Sequence, residues 1–149
     1  MLTLEELRSV YTAGSLATGD AATDGVLEIV EYSEQLIVAT GVFDDSHVRP
    51  GGMVSGSILF RMVDAMGFLV TMARCPPRSN AFTLDVSIRF LRPAPIGQLR
   101  VEGRSLRFGK RASIVDTAIF TSTGTEPVTQ AVVSYAPVFP GPTTPDRPF

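Results

Sequence analysis

The chain has 149 residues, of which 44% are hydrophobic and 19% are charged, and its net charge is -2 at pH 7. This length and composition predict one folded domain over 1–149 and exclude a disordered chain. Because no global basic field exists, we expect neither nucleic acid nor membrane as a partner. The single cysteine, Cys75, excludes an internal disulfide, and with the single histidine, His47, it supplies too few ligands for a zinc site, so we expect no metal. A nucleophilic Cys–His pair would require these two residues to lie together.

The N-terminal part of the chain, about 1–20, predicts a short helix followed by a loop. Thr3 is a helix-capping residue, and Glu5 and Glu6 lie where the helix dipole favours negative charge. The segment lacks the basic start and continuous apolar stretch of a signal peptide, so we expect a cytoplasmic protein. Two strand-like runs follow, joined by a turn-like stretch at 32–35.

The longest apolar segment of the chain lies in its middle, after an irregular, glycine-rich stretch. Apolar side chains continue from near Ser55 to near Arg74, and two prolines follow, which predicts a long helix. Arg61 and Asp64 near the centre of this helix argue against a membrane span. A helix that is apolar nearly all round must be enclosed by other elements.

The second half of the chain predicts four strands and a tail. The first strand, 82–90, alternates strictly between apolar and polar residues, so one face should be buried and the other polar. Strand-like runs at 98–108 and 112–122 flank a tight Gly-Lys-Arg turn, and a last strand lies within 126–138. We expect these strands to meander in one antiparallel sheet around the long helix, and we expect a disordered, proline-rich tail at about 138–149.

An acidic residue inside the apolar helix, Asp64, is the first candidate for chemistry. Burying a carboxylate is costly unless it is paired or used. Asp64 either pairs with Arg61, three residues earlier on the same helix face, or acts as a base or nucleophile. Gly56 either permits close helix–sheet packing or presents its N–H, at the helix start, to a developing negative charge.

Three segments together resemble one known family. A family loop and helix, written as His-Gly-Gly, six residues, then Asp, is similar to GGMVSGSILFRMVDAMG. A family strand that ends in Phe-Leu-Arg-Pro-Ala is similar to FTLDVSIRFLRPAPIGQLRVEGR. A Gly-Arg/Lys hairpin is similar to RFGKRASIVDTAIF. In this order, over roughly 41–137, they resemble the phenylacetate-degradation type of acyl-coenzyme A (CoA) thioesterase. The resemblance implies an α+β hotdog fold, in which a curved antiparallel sheet wraps a long central helix. It also implies an acyl-CoA substrate, no cofactor, and a homodimer or a dimer of dimers.

The same resemblance implies the site residues. Aligned on the long helix, Asp64 corresponds to the catalytic carboxylate, Gly56 to the glycine whose N–H faces the thioester oxygen, and Thr83 to a water-orienting hydroxyl. Ser55 and Ser57 replace the family's histidine and second glycine, and both are candidates for substrate binding. Ser55 is alternatively a helix N-cap.

Further substrate-binding candidates lie upstream of the helix and on one hairpin. The family's upstream asparagine is missing, and Arg49 or His47 lies near its place; His47 is alternatively a surface loop residue. CoA phosphates need cationic partners. The basic residues clustered around one hairpin are candidates for that role: Arg104, Arg107, Lys110 and Arg111.

Two geometric expectations follow from spacing. Strict alternation places Thr83 opposite the apolar face of its strand, so it would reach a site only where the sheet edge meets a partner chain. Gly56 and Asp64 are eight residues apart. That separation is about 12 Å along a helix, so one thioester carbon cannot touch both. If both act, they come from different chains of a dimer whose central helices run antiparallel.

Hydrolysis of an acyl-CoA thioester is the function that these observations favour. Asp64 would activate water or attack directly, and the partner's Gly56 N–H would stabilise the oxyanion. Two alternatives remain open. A hydratase or dehydratase of acyl thioesters would pair His47 with Asp64, and a non-catalytic acyl-CoA binding protein fits the loss of the His-Gly-Gly pattern.

Overall fold

The computed structural model describes residues 1–14 and 27–141 of the chain. Its elements over these residues are α1 Leu4–Gly14, β1 Glu28–Tyr32, β2 Ile37–Phe43, a 3-10 helix Asp45–His47, β3 Val48–Arg49, β4 Met53–Val54, α2 Gly56–Ala73, β5 Asn80–Phe90, β6 Gly97–Phe108, β7 Ser113–Thr121 and β8 Thr129–Val138. Most of the predicted loop and tail fall on 15–26 and 142–149, outside the described residues.

Six strands form one antiparallel sheet in the order β1-β2-β6-β7-β8-β5, which packs around α2. The predicted α+β hotdog class is confirmed. The predicted meander is wrong at β5, which pairs with β8 and not with β6. Sequence neighbours usually pair, but here the connection after β5 carries the chain to the far side of β7, where β6 joins β2. As a result β5 is an edge strand.

The glycine-rich stretch before α2 contains a small hairpin, although we expected it to be irregular. β3 pairs with β4, and Gly51 and Gly52 turn the chain with φ of +114° and +76°, values that favour glycine. Val54 N donates to Ala94 O at 2.9 Å, so this hairpin also holds the connection between β5 and β6. The start of α2 is therefore anchored to the end of β5.

The N-terminal helix is confirmed, and Thr3 caps it as predicted. Glu6 N donates to Thr3 Oγ1 at 3.2 Å, and Thr3 N donates to Glu6 Oε2 at 2.7 Å, which is a capping box. Leu7 is fully buried, and Leu2 N donates to Ala73 O. These contacts fix α1 against the C-terminal end of α2.

The long helix α2 is the core helix of the protein. Its length and composition would let it cross a membrane, but twelve of its 18 residues are buried inside the protein. The side chains that the sheet covers least form one stripe along the helix: Ser57, Phe60, Arg61, Asp64 and Phe68.

Gly103 of β6 lets α2 lie close to the sheet. A Cβ at this position would stand 2.5 Å from Met66 Cγ and 2.8 Å from Val70 Cγ2. We expect Gly103→Ala to overpack the core and lower the free energy of unfolding by about 1–3 kcal/mol, measured by denaturant titration. Gly56→Ala is the control, because its Cβ would meet only Phe90, at 3.5 Å. Equal stability of the two variants would contradict the packing argument.

Candidate active site

Asp64 lies on the stripe of α2 that the sheet covers least, and it is half-buried. Thr83 Oγ1 donates to Asp64 Oδ1 at 3.0 Å, and Tyr135 Oη donates to the same oxygen at 2.7 Å. The ion pairs between described residues do not join Asp64 to Arg61. Two neutral hydroxyls hold the carboxylate, which favours a functional role for Asp64 over the ion-pair alternative.

A β-bulge in β5 turns Thr83 toward α2. Thr83 lies opposite Tyr135 of β8, and Leu84 is an extra residue before the ladder resumes. An extra residue reverses the alternation of faces, so Thr83 lies on the same side of the sheet as Val86, which packs against the core. The expectation that Thr83 reaches a site only through a partner chain is wrong, because strict alternation does not hold through the bulge.

The predicted buried face of β5 is only partly buried. Val86 and Ile88 pack against the core, whereas Phe82, Leu84 and Phe90 are 54%, 59% and 54% exposed. Within the described chain no strand pairs with the outer edge of β5. The edge of the sheet beside the site is therefore apolar and open.

Tyr135 is the site residue that sequence reasoning missed. Burial raises the pKa of its phenol, the Thr83 hydroxyl opposes that shift, and the charge of Asp64 adds to it. The hydroxyl therefore stays protonated and remains a donor to Asp64. The signal in the sequence was positional: the inward positions of β8 include Ala131, Val133 and Tyr135, a polar-tipped aromatic in an apolar row.

A groove of about 520 Å³ opens at the start of α2. Its lining includes Gly56, Arg49, Phe90 and Arg92. As the first residue of α2, Gly56 carries one of the N–H groups that have no acceptor within the helix. A Cβ at Gly56 would make only ordinary contact with Phe90, at 3.5 Å, so tight packing does not account for this glycine.

Ser55 and Ser57 bond to each other at the start of α2. Their Oγ atoms lie 2.5 Å apart, and the Ser55 side chain makes no capping bond. Ser55 occupies the N-cap position, and its carbonyl accepts from Ile58 N and Leu59 N. The predicted N-cap position is confirmed, but the side chain does not cap the helix, because the Ser55 hydroxyl bonds to Ser57.

His47 is packed into the loop before α2. Its side chain is 9% exposed, its ring meets Phe43 edge to face at 5.3 Å, and its Nδ1 lies 3.1 Å from Asp44 Oδ1. His47 O accepts from Ser55 N at 3.0 Å, so the residue supports the helix start through its main chain. The expectation of a surface loop side chain is wrong, and the polar contacts of His47 do not reach Asp64.

The predicted basic hairpin lies at the same end of the sheet as Asp64. One row across four strands contains Thr83, Tyr135, Ser113 and Phe108. Lys110 and Arg111 lie just beyond this row, at the hairpin tip, and both are exposed.

The arginines that line the groove do not belong to the basic hairpin. Arg104 lies on β6, 3.7 Å from Glu102, and among the described residues neither it nor the hairpin tip lines the groove. Arg92 lines it but already donates to Pro127 O at 2.7 Å. Arg49 is the other groove arginine, and it is exposed.

Cys75 is a core residue outside this site. Burial raises the pKa of its thiol to about 11, and Cys75 Sγ donates to Thr71 O at 3.4 Å. A neutral thiol is a poor nucleophile, so the Cys–His alternative loses its support. Among the described residues no group of three or more His, Cys, Asp or Glu side chains could hold a metal.

Solved structures share this fold over most of the chain. A thioesterase from Haemophilus influenzae is 19% identical, with a TM-score of 0.76 over 93% of this chain and 92% of that chain. A phenylacetic acid degradation-related protein from Ralstonia eutropha is 25% identical, with a TM-score of 0.71 over 87% and 94%. A Streptococcus mutans protein bound to acetyl-CoA is 21% identical, with a TM-score of 0.69 over 76% and 89%.

No curated protein sequence matches the chain significantly. A family model described as Thioesterase superfamily matches residues 51–128, just over half of the chain. That match runs from the hairpin before α2 through Gly56, Asp64 and Thr83 to the residue before β8, so it contains most of the site. On this match, and with a hotdog fold around Asp64, the chain belongs to the thioesterase superfamily.

Proposed function

We propose that the protein hydrolyses an acyl-CoA thioester to a carboxylic acid and free CoA. The observation that carries the proposal is the carboxylate of Asp64, held by Thr83 and Tyr135 on the open stripe of the core helix. Thioester hydrolysis needs an activated water, donors for the oxyanion and a site for the leaving thiol. Asp64 would activate the water. The groove at Gly56 would supply a backbone N–H for the oxyanion and space for the leaving thiol.

The proposed reaction uses Asp64 as a general base. Asp64 takes a proton from water while the water oxygen bonds to the thioester carbon, and the carbonyl oxygen becomes an oxyanion. The Gly56 N–H donates to that oxyanion, aided by the positive end of the α2 dipole. The carbon–sulfur bond then breaks, the CoA sulfur receives the proton, and the acid is released.

The proposed mechanism fits a homodimer best. Gly56 and Asp64 lie on one helix about 12 Å apart, so each site would take one group from each chain. The open edge of β5, with Phe82 and Leu84 exposed, is the surface that a second copy would cover, because unpaired apolar edges are rarely left in solvent. A dimer of dimers and a cytoplasmic location stay predictions.

Coenzyme A is the proposed carrier of the acyl group, which the acetyl-CoA bound to the Streptococcus mutans protein supports. We assign its phosphates to Arg49, because the other arginine of the groove, Arg92, already bonds to Pro127 O and Glu126. Arg49→Ala is expected to raise KM for acyl-CoA about tenfold, the loss of one charge-assisted contact. KM for the N-acetylcysteamine thioester of the same acid should not change, because that substrate lacks the phosphates.

Arg111→Ala is the matched variant for this assignment. If Arg111→Ala raises KM for acyl-CoA and Arg49→Ala does not, the phosphates bind the hairpin tip and the groove assignment is wrong.

The function itself is tested with a panel of acyl-CoA esters and a thiol reagent. Release of free CoA by the purified protein supports hydrolysis. Binding of acyl-CoA without release would contradict it and favour a non-catalytic binder. A hydratase or dehydratase is disfavoured because His47 bonds to Asp44 and lies outside the Asp64 cluster.

A further inference from the structure

We infer that Tyr135 is a positioning residue for Asp64, an inference that rests on the proposed function. Its hydroxyl lies 2.7 Å from Asp64 Oδ1 and 2.8 Å from the main-chain O of the same residue. The single hydroxyl proton is shared between these two acceptors, so the phenol links the carboxylate to its own helix backbone. Both side-chain hydrogen bonds that described residues make to the carboxylate, from Thr83 and Tyr135, end on Oδ1. In the proposed reaction the other oxygen, Oδ2, is therefore the atom that accepts the proton from water.

The helix provides the space that this tyrosine needs. A Cβ on Gly67 would stand 3.0 Å from Tyr135 Cε2 and 2.9 Å from Val133 Cγ1, so any side chain there would push the ring away from α2. Phe68 packs beside the ring, with centroids 6.1 Å apart. On one helix, Asp64 therefore accepts the hydrogen bond of the phenol, Gly67 leaves room for its ring, and Phe68 packs beside it.

The bond to Tyr135 has a chemical consequence beyond orientation. A neutral donor on a carboxylate stabilises the ionised form, which is the form that a general base requires. Burial raises the pKa of the phenol, so this donor does not itself ionise in the working range of the enzyme. Among the residues that the structure describes, Thr83 from β5 and Tyr135 from β8 face Asp64, and Arg61 lies one turn earlier on α2.

Tyr135→Phe tests the inference because it keeps the ring and removes only the hydroxyl. We expect kcat to fall about tenfold to a hundredfold, the worth of one hydrogen bond to a charged group, with KM for acyl-CoA little changed. A fall in kcat at constant KM is what a positioning residue predicts, whereas damage to the binding surface would raise KM. Tyr32→Phe is the matched control: its hydroxyl donates to Leu2 O, away from the site, and its removal should leave kcat and KM unchanged.

A second readout does not depend on turnover. Carbon-13 NMR at a fixed pH of 7 should show a different chemical shift for the Asp64 carboxyl carbon in Tyr135→Phe than in wild type, and the wild-type shift in Tyr32→Phe. If wild type releases no CoA from any ester, the proposed function fails, and this chemical shift still decides the inference. A chemical shift that is the same in all three proteins overturns it, even if kcat falls, because Tyr135 would then not bond to the carboxylate.

Discussion

Asp64→Asn is expected to lower kcat for acyl-CoA hydrolysis by about 10²–10⁴-fold while the protein stays folded, since this is the usual contribution of a general base. The amide oxygen can still accept from Thr83 and Tyr135, so the hydrogen bonds that hold residue 64 survive. The amide cannot take a proton from water, so the chemistry is lost. The measurement is thiol release with the most active ester, accompanied by a melting curve.

Asp116→Asn is the control for this variant. Asp116 lies on the face of β7 turned away from α2, where it accepts from Gln130 Nε2 at 2.8 Å, and its loss of charge should leave kcat unchanged. If Asp64→Asn turned over the ester as fast as wild type, Asp64 would not be the base. If Asp64→Asn failed to fold, the result would indicate that the carboxylate is structural.

Complementation between two inactive chains is the second expected result with a large effect. Gly56→Pro removes the proposed oxyanion donor and is expected to cost about 10²–10³-fold in kcat. Proline is tolerated at the first helical position, which Gly56 occupies. Ser55 already has the extended backbone, φ −66° and ψ 145°, that a residue before proline prefers. The helix should therefore persist without that one N–H.

A heterodimer of Gly56→Pro and Asp64→Asn chains should regain activity. With two different affinity tags the heterodimer can be purified away from both homodimers. If each site combines Gly56 of one chain with Asp64 of the other, one of its two symmetric sites is intact and the rate is about half that of wild type. If both groups came from the same chain, every site would carry a defect and the heterodimer would be inactive. That inactivity, in a heterodimer that forms, would refute the shared site.

The main elements of the fold follow from the sequence because their signals are local. The apolar run before Pro76 and Pro77 predicts α2, and alternation predicts the strands of the sheet. The pairing of β5 with β8 is not local, since the partners are separated by two other strands along the chain. Chain order therefore predicts the wrong neighbour for β5, although the alternation of residues predicts the strands themselves correctly.

The sequence predicts the acidic residue of the site, but it predicts less well the residues that bond to it. Asp64 stands out because a charge inside an apolar helix needs a reason. Tyr135 lies 71 residues away, so its contact with Asp64 exists only after the sheet has closed on the helix. Thr83 was named by resemblance but placed on the wrong face, because a bulge changes the count of residues and not their hydrophobicity.

The bulge at Leu84 makes β5 one residue longer than its pairing requires. Thr83 and Asp85 pair with Tyr135 and Ser134, which are consecutive residues, so deletion of Leu84 would leave an unbroken ladder with the hydroxyl at 83 still turned toward the acid. The side chain at 84 is largely in solvent, so many residue types fit there, and what a deletion would remove is the local twist that a bulge adds to this edge of the sheet.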